Sequence, residues 1–280
     1  MSELEALLLG VVQGLTEFLP ISSSGHLILV PWAQDYTFLQ ENESFNKTFD
    51  VALHAGTLVA VISYFWSDLV AMATGVLRSL RTRAIETTEQ RLGWAVVVGT
   101  IPAVIVGGLG EDWIDENLGE PWMIAILLIV FGLILAWADR LPQRRAIDSV
   151  SVREGLYMGI AQAAALAPGV SRSGVTISAA RYLGLDRDSA ARFAFLLLVP
   201  AVAGATVLKA IGAIEEGLPD GVVGPIIVGT IASAISSYAA IAWMLAYVRR
   251  HSYDLFVVYR VFIGLLVLAV IASGVREATF

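Results

Sequence analysis

The chain repeats itself. A shift of 149 positions superposes Glu5 on Glu154, Leu7 on Leu156, Gly10 on Gly159, Gln13 on Gln162, Ser22 on Ser171, Ser24 on Ser173 and Gly25 on Gly174 without a gap. Further on, Val98-Gly99-Thr100-Ile101 recurs as Val228-Gly229-Thr230-Ile231. The repeated material is apolar: 57% of the 280 residues are hydrophobic and the mean hydropathy is +0.73, far outside the range of soluble domains. An integral membrane protein is expected. Helix-length apolar runs satisfy their own backbone groups in lipid only as α-helices.

Full-length spans are predicted at about 49–66, 93–110 and 122–139, and again at about 192–210, 222–246 and 255–274. Each copy opens with a broken segment, 3–34 or 153–182. In the first, an apolar helix stops at Pro20, which cannot continue a helix interior, and a short apolar piece resumes after the serines. Neither piece is long enough to cross a hydrocarbon core of about 30 Å, so each segment reads as a re-entrant hairpin. The fold class expected is all-α integral membrane with an inverted-topology repeat, 1–146 and 147–280, in one membrane domain. Three crossings per copy is an odd number, so the second copy lies upside down. The positive-inside rule agrees. Arginine-rich 67–92, 140–152, 183–191 and 247–253 fall on the cytoplasmic side; 33–48, 111–121 and 211–221, with Asp35, Glu41, Glu43, Glu111, Asp112, Glu215, Glu216 and Asp220, fall outside. Arg181, Arg187 and Arg192 belong to this charge pattern, and Trp66, Trp122 and Trp137 to interfacial belts. The two hairpins then enter from opposite faces and their tips can meet. That architecture is typical of secondary transporters, so the residues must decide the function.

Cysteine is absent, which excludes a thiolate nucleophile, a disulfide framework and a zinc–sulfur site. The net charge of −7 argues against a nucleic-acid partner. Residues 1–30 lack the basic start and small-residue cleavage site of a signal peptide and are expected to be mature protein.

The differences between the copies carry the chemistry. The first tip alone has Glu17 and His26; the second alone has Arg172, where the first has Ser23. Gln13 and Glu17, spaced i, i+4, share a helix face, and a carboxylate inside a membrane segment is a functional candidate. As oxygen ligands, Gln13 and Glu17 suit Mg²⁺ or Ca²⁺. Ser22, Ser23 and Ser24, ahead of Gly25, offer hydroxyls and free N–H groups to an anion; helix capping alone would also explain serines there. His26, three residues after Ser23, is within reach to activate its hydroxyl. Arg172, between Ser171 and Ser173, presents planar donors that match phosphate or carboxylate. Its anion is Glu17 in the resting protein or a transferring phosphoryl group with substrate bound. Asp50 and His54, also i, i+4, read as a structural or substrate-path pair.

Two stretches carry a family resemblance. Gln13-Gly-Leu-Thr-Glu17-Phe-Leu-Pro-Ile-Ser-Ser-Ser-Gly-His26 resembles the (E/Q)xxxE motif and serine-rich loop of the undecaprenyl-diphosphate phosphatases, also called bacitracin-resistance proteins. Pro168-Gly-Val-Ser-Arg172-Ser-Gly, completed by Thr176, resembles their PGxSRSxxT motif. Gln13 stands where many members have Glu. The resemblance implies hydrolysis of a C55 polyprenyl diphosphate to the monophosphate and phosphate, outside the cytoplasmic membrane, recycling the lipid carrier of cell-wall synthesis. It implies Ser23 as nucleophile, His26 as its acid/base partner, Glu17 with Gln13 as ligands of a divalent cation, and Arg172 as phosphate clamp. Ser22, Ser24, Gly25, Ser171, Ser173 and Thr176 would line the substrate. The partners implied are the lipid substrate and membrane lipid, with a homodimer left open. The acid-phosphatase type of lipid phosphatase is set aside, because Ser178 stands where it needs His and no lysine precedes Lys47. A transporter or flippase for a phosphorylated lipid is the alternative from another class.

Overall fold

Two helices open in the same way at positions 149 apart. Ser2 caps α1 (Glu3–Phe18) and Ser151 caps α7 (Val152–Ala163); in each, the serine side chain accepts from the backbone of a glutamate, Glu5 or Glu154, whose carboxylate reaches back. This reciprocal capping satisfies donors that a helix start leaves free. The computed structural model describes residues 1–34, 36, 38–39, 42–216 and 221–278; Asp35, Glu41 and Asp220 lie outside the described residues.

After α1 the chain turns into α2 (Ser23–Gln34), and after α7 it passes a short 3₁₀ turn, Ala164–Leu166, into α8 (Arg172–Tyr182). The partners in each pair pack together, as the two expected hairpins require. Long apolar helices make up the rest: α5 (Thr88–Asn117), α6 (Pro121–Asp139), α9 (Arg187–Glu216), α10 (Val223–Val248) and α11 (Asp254–Ala272), each able to cross a bilayer. Exposed side chains such as Ile101 and Val104 on α5, Ile231 and Ile235 on α10, and Phe262 and Leu265 on α11 form an apolar surface that water would not tolerate. This is a multi-pass, all-helical membrane protein.

The span expected at 49–66 differs in kind. It is α3 (Glu43–Tyr64), followed by an 83° bend into α4 (Trp66–Thr82), so most of the expected loop 67–92 is helix. Its arginines misled the reading: on α4 they share the helix with outward-facing Trp66, Val70, Leu77 and Leu80, while Ser79 turns inward to accept from Trp94 Nε1 at 2.7 Å. Likewise α5 continues through 111–117, and α9 starts at Arg187 and runs to Glu216, shortening three expected loops. Hydropathy marks the edge of the apolar layer, whereas Glu and Arg are good helix formers and carry helices beyond it.

Close packing is concentrated at equivalent glycines. A Cβ on Gly10 of α1 would lie 2.3 Å from the Gly229 carbonyl oxygen of α10, and one on Gly159 of α7 would lie 1.9 Å from the Gly99 oxygen of α5. Gly10 and Gly159 are repeat partners, and so are Gly99 and Gly229. Lipid supplies little hydrophobic drive between helices, so small residues that let backbones approach carry the association. Successive contacts, Gly10 on Gly229 then Gly14 on Ser233, and Gly155 on Ala95 then Gly159 on Gly99, run α1 parallel to α10 and α7 parallel to α5. The ends of α1 and α3 meet the start of α9 through Phe18, Phe65 and Phe195, with Phe195 centroids 5.2 and 6.4 Å from the other two.

Two of the three arginines assigned only to the charge pattern are structural. Arg181 is fully buried, donating to the carbonyls of Asp139 at 3.0 Å, Leu141 at 2.8 Å and Leu185. Arg187 grips the Asp139 carboxylate with two bonds of 2.7 and 3.0 Å, and the Tyr253 N–H donates to the same group at 3.1 Å. One carboxylate thus ties α6, α8, α9 and α11 together. Arg192 pairs with Asp188 one turn away at 2.8 Å.

Two predictions follow from this packing. Alanine at Gly159 would collide with the Gly99 carbonyl, whereas at Gly108 it meets nothing within 4 Å. Gly159→Ala should lose about 1–3 kcal/mol of stability and Gly108→Ala none, as read from the thermal midpoints of the purified variants. The Glu154 carboxyl is pushed down to about 2 from its ordinary 4.5, first by its bidentate partner Arg145 and then by Ser151. A depressed carboxyl contributes stability that is complete above the unfolded value and lost as pH falls through the folded one. The thermal midpoint of the wild type should therefore exceed that of Glu154→Gln at pH 7, and the gap should close between pH 4.5 and 2.

Candidate active site

Ser22 and Ser171, repeat partners at the two tips, both have positive φ, 76° and 73°. Non-glycine residues rarely adopt this region, and each such residue costs about 1–3 kcal/mol. The strain aims the two serine hydroxyls at backbone donors. Ser171 Oγ accepts from the Gly174 N–H at 3.2 Å. Ser22 Oγ accepts from Gly25 at 3.4 Å and, across to the other tip, from the Gly169 N–H at 3.0 Å. Ser173 Oγ returns the link by donating to the Leu19 carbonyl at 3.0 Å. The tips therefore meet. Ser24, 3.5 Å from Ser22 Oγ, and Gly25, inside the Ser22 cap, belong to the same turn.

Glu17, almost wholly buried near the end of α1, is the centre. Its Oε2 accepts from Ser23 Oγ at 2.6 Å and from Gln13 Nε2 at 3.1 Å. Arg172 Nη1 from the second tip stands 3.5 Å from its Oε1, and His54 Nε2 from α3 lies 3.8 Å from Oε2. Gln13, Glu17, Ser23 and Arg172 are thus brought together, and His54, read from sequence only as one of a pair with Asp50, joins them. His54 Nδ1 donates to the Asp50 carbonyl at 2.8 Å, which turns the other nitrogen toward the carboxylate.

Four buried polar atoms in these motifs have no hydrogen-bond partner: Gln13 Oε1, Glu17 Oε1, Arg172 Nη1 and Thr176 Oγ1. Buried polar atoms are normally satisfied, so this set leaves donors free for an anion and oxygens free for a cation. Among the described residues, no three His, Asp or Glu side chains cluster to hold a metal by themselves. The two free oxygens of Gln13 and Glu17 would suit a hard cation.

The expected Ser23–His26 pair is not formed. His26 Nδ1 lies 2.7 Å from the Ser22 carbonyl and must donate to it; Nε2 lies 2.8 Å from the Tyr259 hydroxyl, which donates when the ring is neutral. One residue into α2, Ser23 instead faces back to Glu17. The base in contact with the Ser23 hydroxyl is the carboxylate, an arrangement suited to forming an alkoxide nucleophile, with Arg172 placed to receive negative charge.

Sequence reading missed Tyr259 and Arg260 of α11. Arg260 is fully buried and its guanidinium lies among carbonyls of both tips. The signal for it was present, a lone charge within an apolar span; nothing marked Tyr259.

Known proteins resemble this chain along nearly its whole length. The chain is 45% identical over 272 residues to the undecaprenyl-diphosphatase of Geotalea daltonii, covering 96% of this chain and 98% of that one. It is 46% identical over 271 residues to the undecaprenyl-diphosphatase of Geobacter sulfurreducens, and 43% over 277 residues to that of Thermomicrobium roseum, each again covering 96% of this chain and 98% of the other. Residues 6–266 match the family described as bacitracin resistance protein BacA. With both tips, the serine–carboxylate pair and the opposing arginine inside that match, the chain belongs to the BacA family.

Proposed function

We propose that this protein is a membrane phosphatase that hydrolyses undecaprenyl diphosphate to undecaprenyl phosphate and inorganic phosphate, recycling a lipid carrier of cell-wall synthesis and thereby conferring resistance to bacitracin. The observation that carries this reading is the 2.6 Å bond from Ser23 Oγ to Glu17 with Arg172 on the opposite side of the carboxylate. Glu17 takes the Ser23 proton as Oγ bonds to the terminal phosphorus. The bond from that phosphorus to the bridging oxygen breaks, and the lipid monophosphate leaves with the electron pair. Water then releases the phosphoryl group from Ser23, and Oγ recovers its proton. Arg172 exchanges Glu17 for the phosphoryl oxygens as charge moves onto them. Ser22, Ser24, Gly25, Ser171, Ser173 and Thr176 shape the cradle, and His26 holds the first tip through Ser22.

Mg²⁺ or Ca²⁺, held by Gln13 and Glu17 with the diphosphate, would offset the substrate's charge when bound. The protein lies in the cytoplasmic membrane with its site opening to the extracytoplasmic side, a reading supported by the distribution of arginines and acids between loops. Two inverted copies, 1–146 and 147–280, are supported by the matched caps, the matched positive-φ serines and the glycine pairs Gly10–Gly229 and Gly159–Gly99. A lipid flippase would need the same fold but has no use for a hydroxyl bonded to a buried carboxylate.

Purified protein in detergent should release phosphate from undecaprenyl diphosphate without any gradient; absence of release would overturn the phosphatase reading. Ser23→Ala and Arg172→Ala should each lower turnover by at least about a hundredfold, as loss of a nucleophile or of charge stabilisation does. EDTA should abolish release and Mg²⁺ restore it, with Glu17→Gln requiring a higher Mg²⁺ concentration for half-maximal binding measured by calorimetry. Full activity in EDTA would remove Gln13 and Glu17 from the ligand set.

A further inference from the structure

Arg260 is a buried cation without a carboxylate. Among the described residues no ion pair involves it. Its donors instead go to five backbone carbonyls. Nη1 donates to Pro20 at 3.1 Å on the first tip. Nη2 reaches Gly169 at 2.8 Å and Val170 at 3.1 Å on the second tip, and Leu127 at 3.4 Å on α6; Nε donates to Leu128 at 2.9 Å. An arginine in a membrane interior is tolerated only where backbone or counter-ions satisfy it, and here one planar fork is shared between both halves of the site.

The surroundings are shaped to admit it. A Cβ on Gly132 of α6 would lie 3.3 Å from Arg260 Cβ and 3.5 Å from Nε, and one on Gly174 of α8 would lie 3.0 Å from Nη1. A side chain at Gly174 would press on the guanidinium itself, and one at Gly132 would crowd the base of the Arg260 side chain. Among the described residues two hydrogen bonds join the tips directly, from Gly169 N to Ser22 Oγ and from Ser173 Oγ to Leu19 O. The Arg260 fork adds Pro20 on one side and Gly169 and Val170 on the other.

We infer that Arg260 is a positioning residue for the phosphatase reaction: it sets the register of the two tips, and with it the placement of Arg172 against Ser23 and Glu17. This rests on the phosphatase reading above. A lysine would keep the charge, but its ammonium radiates three donors from one point and cannot span both tips. A displacement of about 1 Å between reacting groups can cost on the order of a hundredfold in rate.

The test is a double-mutant cycle on phosphate release from undecaprenyl diphosphate by the purified full chain, with kcat and KM measured separately. Arg260→Lys should lower kcat by at least about 30-fold in the wild-type background with KM within about threefold, yet by less than about threefold when Arg172 is already alanine, because the register then has nothing left to place. Gly132→Ala, which leaves the cation in place and crowds it by tenths of an ångström, should show the same coupling at smaller size, about three- to tenfold against less than twofold, and decides the matter if Arg260→Lys does not fold. Equal losses in both backgrounds would mean that Arg260 serves folding alone, and unchanged kcat in both variants would mean that it serves neither; either result overturns the inference. Failure of the wild type to release phosphate would count against the phosphatase reading instead.

Discussion

Backbone that leaves a helix inside an apolar layer has N–H and C=O groups that lipid cannot satisfy. Everything about the site depends on how the turns at 19–22 and 167–171 meet that constraint. Each tip supplies partners for the other: Ser22 takes the Gly169 N–H, Ser173 donates to Leu19, and Arg260 gathers carbonyls from both. Neither tip has this set of partners alone, so the juxtaposition that brings Arg172 to Glu17 is imposed by backbone hydrogen bonding before any substrate is involved. The surrounding helices can hold such tips only by packing closely, which accounts for the glycines at Gly10, Gly99, Gly159 and Gly229.

The two tips share a frame and differ in the groups they carry. Ser22 and Ser171 keep the same strained φ, and both cap the helix that follows. The side chains at matching positions differ. Position 23 gives a hydroxyl in one copy and position 172 a guanidinium in the other, and Glu17 corresponds to Leu166. Gln162, the counterpart of Gln13, is buried with neither amide atom partnered, since its copy has no carboxylate to receive it. A hydroxyl from one tip facing a guanidinium from the other suits a substrate with one reacting phosphorus and one leaving group.

Charge in the interior follows two regimes. Asp139 takes two bonds from Arg187 and one from the Tyr253 N–H, and the Nη donors of Arg181 are filled by backbone carbonyls, although its Nε, 3.5 Å from Asp139, makes no hydrogen bond. Glu17 with Arg172 is open, at 3.5 Å with an unsatisfied atom on each side. Burying charges is expensive unless they are well paired, so the looser pair is the one that gains most from an incoming anion.

By itself the sequence determined the membrane class and the two helix–break–helix segments, because apolar run length, proline and serine position and a repeated register are local properties. It also carried the family, since both motifs are contiguous. It misplaced helix ends at 67–82, 111–117 and 211–216, where charged residues that signal a loop are equally good helix formers. Only the tertiary structure decided that Ser23 bonds Glu17 rather than His26, that His54 turns to the carboxylate, that Arg181 and Arg187 are internal ties, and that Tyr259 and Arg260 stand behind the tips. Those relations join residues as much as 240 positions apart through the crossing of separate helices. No periodicity within one helix records which neighbour it will meet.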